Sequence, residues 1–294
     1  MFKGAITALV TPFKDGKVDE QAFQDFVQWQ IEQGIHGLVP CGTTGESPTL
    51  THDEHNRVIA LCIEVAHGRT PIIAGAGSNA THEAISLAKH AEEAGADAIL
   101  VATPYYNKPN QEGLYQHYKA INDSVDTPII LYNIPGRSVI DMQDATTARL
   151  AKLANVVGIK DATGDLSRVT SLKKELGEDA ENFCILSGDD ETAVAFDTQG
   201  GVGCISVTSN IFPDKVAKIQ QLCIDGHHTA AAELQDELMN VHMAMFCDSS
   251  PAPAKYAASL MGKMNNELRL PLVALAADKE EIVKHALKEQ GLDV

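Results

Sequence analysis

Short apolar runs recur along the chain, each bounded by glycine, proline or polar residues and followed by a longer stretch with a helical period. The runs are AITALV from Ala5, GLVP from Gly37, PIIAG from Pro71, AILVA from Ala98, PIILYN from Pro128, VVGIK from Val156, FCILS from Phe183 and GCISV from Gly203. Their length and richness in β-branched residues predict strands. Between them, stretches such as DEQAFQDFVQWQIEQG and THEAISLAKHAEEAG carry apolar residues three and four apart, with Gly34 and Gly95 placed to stop a helix. Eight strands alternating with helices predict an α/β chain folded as a (β/α)8 TIM barrel. Beyond about residue 210 the strand signal disappears and only helical patterns remain, the last near DKEEIVKHALKEQG. The expected division is a catalytic barrel over 1–224 and a C-terminal helical domain over 225–294.

Composition narrows the function classes. With 44% apolar and 21% charged residues, the 294-residue chain reads as globular rather than disordered. A formal charge of −17 sets it against nucleic acid as a partner, because phosphate backbones call for a basic surface. The six cysteines form no C-x-x-C pair, so thiols kept reduced are expected rather than a zinc or redox centre. The opening MFKGAITALVTPFKDG lacks a signal-peptide core and no later segment has the apolar length of a membrane span, so the expected location is the cytoplasm.

In a parallel barrel the chemistry is built at the C-terminal ends of the strands, which directs attention to four segments. Lys160 closes the apolar run VVGIK. Such a lysine either reaches solvent, pairs with the adjacent Asp161, or is held in an apolar mouth where desolvation disfavours the ammonium and frees an amine for Schiff-base chemistry. Tyr132, at the end of the preceding strand, is either a core aromatic or a phenol able to give and take a proton. Arg137 follows on the loop, suited to a surface ion pair or to a bidentate grip on a carboxylate. In PCGTTGESPTL, Thr43 and Thr44 offer hydroxyls and backbone donors where the loop is expected to open a helix, either as caps or as a carboxylate cradle. TPYYNKP adds Tyr105 and Tyr106, which by themselves read as packing residues.

Two motifs fail on inspection. GAGSNA, Gly75 to Ala80, follows a strand like a dinucleotide loop, but the next strand, AILVATP, ends without the acidic residue that would hold a ribose. His52 and His55 in THDEH share a helical face, yet neither H-E-x-x-H spacing nor a third ligand accompanies them, and no metal site is expected.

Together, CGTTGES, PYYNKP, YNIPGR and GIKDATGD, in this order at strand ends, resemble the pyruvate-dependent class I aldolase superfamily, nearest to its lysine-biosynthesis branch. The likeness covers nearly the whole chain. It implies that Lys160 forms an imine with pyruvate, that the derived enamine attacks L-aspartate-4-semialdehyde, and that no metal or organic cofactor takes part. It also implies a proton relay of Tyr132, Thr43 and Tyr106, the last reaching into a neighbouring subunit of a close dimer, with a dimer of dimers as the common assembly. Thr44 then matches a pyruvate-carboxylate contact and Arg137 the contact to the semialdehyde carboxylate, while Gly188 and Ile205 match further lining. Ser47, Pro48, His52, His55, Asn79, Glu83 and Tyr105 match a site for L-lysine as feedback inhibitor, with Pro48 in place of a more usual alanine. Two readings compete with this one: a Schiff-base aldolase acting on sugar acids, of the N-acetylneuraminate lyase or 2-keto-3-deoxy-gluconate aldolase type, and a catalytically silent barrel. Arg137 speaks against the first and the joint presence of the five chemical residues against the second.

Overall fold

The computed structural model describes residues 1–294. Eight parallel strands follow in chain order: β1 (Gly4–Ala8), β2 (Gly37–Val39), β3 (Ile73–Gly75), β4 (Ala98–Ala102), β5 (Ile129–Asn133), β6 (Val156–Asp161), β7 (Cys184–Ser187) and β8 (Gly203–Ser206). Each pairs with its sequence neighbours, β1 also pairs with β8, and the ring closes between β2 and β3 through a parallel bridge of Leu38 with Ile72. All eight expected strands are present. The run from Pro71 is shortened to Ile73–Gly75, and that from Val156 extends one residue past Lys160. A small hairpin, Phe13–Lys14 with Lys17–Val18, adds to the end of the barrel after β1.

The helices between the strands start and stop for local reasons. Asp19 caps the helix Glu20–Glu32 by accepting the Ala22 N–H, and Gly34, at φ 83°, ends it. Thr51 and Glu54 form a reciprocal capping box at the head of His52–Ala66. The TT turn at residues 43 and 44 therefore does not open a helix, as the sequence led us to expect. A short 3-10 turn, Ser47–Thr49, intervenes, and the capping threonine is Thr51. Pro213–Ile224 packs against β1, and the helices His228–Ala244, Ala252–Leu260 and Ala277–Glu289 follow it.

Two apolar layers result. Ile129, Leu131 and Ile159 face the surrounding helices, whereas Ile130, Tyr132, Leu186 and Ile205 point into the barrel. Between β5 and β6 the register shifts by one residue: Ile129 pairs with Val156, but Ile130 pairs with Gly158. The extra residue, Val157, is a bulge. Beyond it Leu131 pairs with Ile159 and Tyr132 with Lys160, so both chemical side chains turn inward at the same height. Gly158 passes close to β7: a β-carbon there would sit 2.6 Å from the Cys184 carbonyl oxygen, so only glycine fits beneath Lys160.

Candidate active site

Lys160 and Tyr132 lie at the C-terminal ends of adjacent strands, only 6% and 5% exposed. The Lys160 Nζ stands 4.3 Å from the centre of the Tyr132 ring, within the range of a favourable cation–π contact. Asp161 is not its partner. Its carboxylate turns to the opposite side of β6, where one oxygen accepts the Thr163 N–H at 2.9 Å and hydroxyl at 2.6 Å, and the other lies 3.3 Å from Arg168 Nε. Burial pushes the Asp161 carboxyl above its ordinary pKa, opposed by Thr163 and Arg168. Of the three fates open to the lysine in sequence, solvent and Asp161 are therefore both excluded. Gly188 keeps room for it: the Gly188 N–H donates to the Asp161 carbonyl at 2.7 Å, and a β-carbon at Gly188 would lie 3.0 Å from Lys160 Cε. Ile205 is buried in the same barrel interior as Tyr132.

Above them opens a cavity of about 240 Å³ lined in part by Thr43, Tyr132, Ile134, Arg137 and Ser138. Tyr132 is the joint between cavity and lysine, since its ring contributes to the wall while Lys160 does not. Arg137 is exposed on the wall, with Nη2 3.5 Å from the Ser250 carbonyl, and has no carboxylate partner of its own. That leaves its guanidinium available for an anionic ligand. Thr44 is buried beside Thr43. Tyr106 is the predicted site residue that the fold leaves outside: it is 89% exposed, in the left-handed region at φ 72°.

The seven residues matched to an inhibitor site divide. Ser47, Pro48 and Tyr105 line the outer part of the same cavity. Asn79 Nδ2 donates to the Tyr105 carbonyl at 3.1 Å, and Glu83 accepts the Ser78 hydroxyl at 2.6 Å. His52 is exposed, whereas His55 on the same helix is 3% exposed, with neither ring nitrogen bonded within the chain. Nowhere do three or more His, Cys, Asp or Glu side chains gather in a way that would hold a metal ion.

Sequence reasoning overlooked three contributors. Ser138 lines the cavity while its hydroxyl donates to the chain's own carbonyls at Ile134 and Ile140. Thr103 also lines the cavity and keeps a buried hydroxyl without a partner; it stands in the segment ATPYY, one residue after β4, where a polar strand-end residue was a usable signal. Glu46, inside the motif CGTTGES, is completely buried, and nothing local announces it, because its cationic partner Lys255 lies 209 residues away.

Against this geometry the comparisons with known proteins are unambiguous. The family model described as the dihydrodipicolinate synthetase family matches residues 1–290. The 4-hydroxy-tetrahydrodipicolinate synthase of Rhodospirillum centenum is 60% identical over 292 residues, covering 99% of each chain. Among solved structures, the chloride-inhibited dihydrodipicolinate synthase from Acinetobacter baumannii complexed with pyruvate is 47% identical, covers 99% of each chain and superposes with a TM-score of 0.96. The enzyme from Cyanidioschyzon merolae with lysine bound is 36% identical, again over 99% of each chain, at a TM-score of 0.95. Fold, site and likeness define an enzyme, a carbon–carbon lyase of the aldolase type on a parallel barrel. Within that class the chain belongs to the dihydrodipicolinate synthetase family.

Burial lowers the pKa of His55 to about 4, with the nearby His52 and His90 acting in the same direction. Between pH 6.5 and 4 the unfolded chain therefore binds a proton at this residue that the folded chain refuses, so stability falls as pH drops through that window. The full effect is roughly 3 kcal/mol for a shift of this size. Urea unfolding of His55→Gln at stepped pH is expected to show a shallower loss of stability between pH 6.5 and 4 than the parent. Parallel pH slopes in the two proteins would contradict the assignment.

Proposed function

We propose that this enzyme condenses pyruvate with L-aspartate-4-semialdehyde through a covalent imine on Lys160, giving 4-hydroxy-tetrahydrodipicolinate for lysine and diaminopimelate biosynthesis. The observation that carries the reading is the buried Lys160 amine facing the Tyr132 ring across two strands in register. The Lys160 amine adds to the ketone carbon of pyruvate, and loss of water from the carbinolamine leaves the imine. A proton then leaves the methyl carbon, with its electron pair drawn toward the imine nitrogen, and the resulting enamine bonds to the aldehyde carbon of the second substrate. Attack by that substrate's amine on the imine carbon closes the ring and expels Lys160. The imine nitrogen is the electron sink, so this sequence of steps calls for no further cofactor.

Tyr132 carries protons in the dehydration and enamine steps, with Thr43 as the next member of the relay, a reading supported by the two residues lining one cavity. Thr44 holds the pyruvate carboxylate, with Gly188 and Ile205 lining that end of the site. Arg137 holds the semialdehyde carboxylate, a role supported by its unpaired guanidinium on the cavity wall. A short acidic acceptor matches that arginine better than the polyhydroxylated chain of a sugar acid. The pyruvate complex of the Acinetobacter baumannii relative supports the first substrate. Six unpaired cysteines suit a reducing compartment such as the cytoplasm.

Tyr106 completes the relay from a neighbouring copy in a close dimer, and two such dimers form a tetramer. The support is its outward side chain on a backbone held at positive φ, a geometry seldom kept without purpose. L-lysine acts as a feedback inhibitor at Ser47, Pro48, His52, His55, Asn79, Glu83 and Tyr105. The lysine-bound Cyanidioschyzon merolae relative supports this, as does the opening of Ser47, Pro48 and Tyr105 onto the catalytic cavity.

Borohydride reduction in the presence of pyruvate, followed by peptide mass mapping, is expected to place a pyruvyl adduct on Lys160, while Tyr132→Phe loses roughly 10²–10⁴-fold in kcat. A folded protein with no adduct removes the mechanism. Mixed oligomers of Lys160→Ala and Tyr106→Phe chains are expected to regain activity that neither homo-oligomer has, because one site in each hybrid dimer holds both residues. No recovery on mixing would place Tyr106 outside the relay. Initial rates are expected to fall in millimolar L-lysine and to be insensitive to it in Glu83→Ala; equal rates with and without lysine in the parent would refute the inhibitor site.

A further inference from the structure

Away from the catalytic cavity, the most enclosed charges in the molecule join its two ends to the loop after β2. Lys255, on the helix Ala252–Leu260, and Glu46 have fully buried side chains, with Nζ and Oε1 2.7 Å apart. The other Glu46 oxygen accepts the backbone N–H of Arg269 at 3.1 Å. Phe13 lies against both cations, its ring centre 4.1 Å from Lys255 Nζ and 4.4 Å from Arg269 Cζ. The Arg269 guanidinium in turn grips the Glu54 carboxylate through two nitrogens, each at 2.6 Å.

Glu46 sits at φ 55°, in the left-handed region that a residue with a β-carbon enters only when its surroundings hold it there. Around it the chain makes one compact turn: the N–H groups of Gly45 and Ser47 donate to the Gly42 carbonyl, and that of Glu46 to the Thr43 carbonyl. A unit so short moves as one piece, and it carries Thr43 and Thr44. None of the residues of Ala252–Leu260 lines the cavity. Burying two opposite charges contributes little net stability, because desolvation offsets their attraction. What the pair does supply is direction: a charged hydrogen bond accepts one geometry where an apolar contact accepts many.

We propose that the buried Lys255–Glu46 pair is a positioning device for the active site, locking the turn Gly42–Ser47 so that Thr43 and Thr44 hold their places over pyruvate. This deepens the function proposed above and rests on its reading of the two threonines. The pair makes the helix Ala252–Leu260 part of the catalytic apparatus without letting it touch substrate.

The double substitution Glu46→Gln/Lys255→Met keeps both shapes and buries no charge, so it separates positioning from folding. Glu46→Gln alone, which retains an acceptor for the Arg269 N–H, serves if the double variant fails to fold. In a variant that melts cooperatively, amide exchange at Gly45, Glu46 and Ser47 is expected to quicken by about tenfold or more, with the barrel strands unchanged. Thr43 and Thr44 share the turn, so kcat is expected to fall and the KM for pyruvate to rise, each by about tenfold. A merely structural role lowers the amount of working enzyme and leaves KM alone, so a parental KM together with parental exchange in the folded variant overturns the proposal. Borohydride trapping on the parent runs alongside. No adduct on Lys160 there defeats the reading of function, and amide exchange still decides by itself whether the pair orders the turn.

Discussion

Everything at the centre of this enzyme depends on the backbone ladder between β5 and β6. Parallel strands hydrogen-bond at fixed spacing, so a side chain's height and face follow from its register. Without the bulge at Val157, Lys160 would sit one position out of step with Tyr132 and point among the helices. With it, the two meet inside the barrel at the level where the strands end. The glycine beneath, Gly158, lets β7 approach, and Gly188 at the end of β7 leaves the volume that the lysine stem occupies. The meeting of Lys160 and Tyr132 is thus built from backbone geometry first and side-chain chemistry second.

The apolar barrel mouth and the anionic surroundings divide the electrostatic roles. Asp161, which follows Lys160 in sequence, is drawn away by Thr163 and Arg168, so no carboxylate neutralises the lysine. Arg137 stands on the far wall with no acid of its own, giving the cavity one positive edge in a chain of net charge −17. Arg137 is the one charged side chain on the cavity wall, so a small anionic ligand would find its counter-charge there. The other polar side chains on the wall, among them Thr43, Thr103, Tyr132 and Ser138, carry hydroxyl groups that can both donate and accept a hydrogen bond.

Charge is handled differently at the interior junction of Glu46, Lys255 and Arg269. There Lys255 and Arg269 are packed against the Phe13 ring and both bond to Glu46, which ties the loop after β2 to the C-terminal third of the chain. The Glu54 carboxylate, held by Arg269, has its pKa lowered to about 2, so this outer pair stays ionised through the neutral and mildly acidic range. The helical end of the molecule is in this way joined to the barrel by directional contacts as well as by apolar packing.

How far the sequence reaches can be seen residue by residue. The eight strands and the helices between them were legible because apolar periodicity is a local property, and so was the placing of Lys160 and Tyr132 at strand ends, whereas Arg137, expected on a loop, stands in the short helix Pro135–Ser138. Helix starts were less so: Thr51 rather than Thr43 or Thr44 caps the second helix, since several hydroxyl residues in one loop compete for a role that only the backbone path decides. The fate of Asp161, the burial of Glu46 and the separation of exposed His52 from buried His55 all required tertiary structure. The chain alone determined which chemical groups are present and on which elements they stand. The fold decided which of them face one another, because register, burial and the partner of a charge are set by residues distant in sequence, as Lys255 is from Glu46.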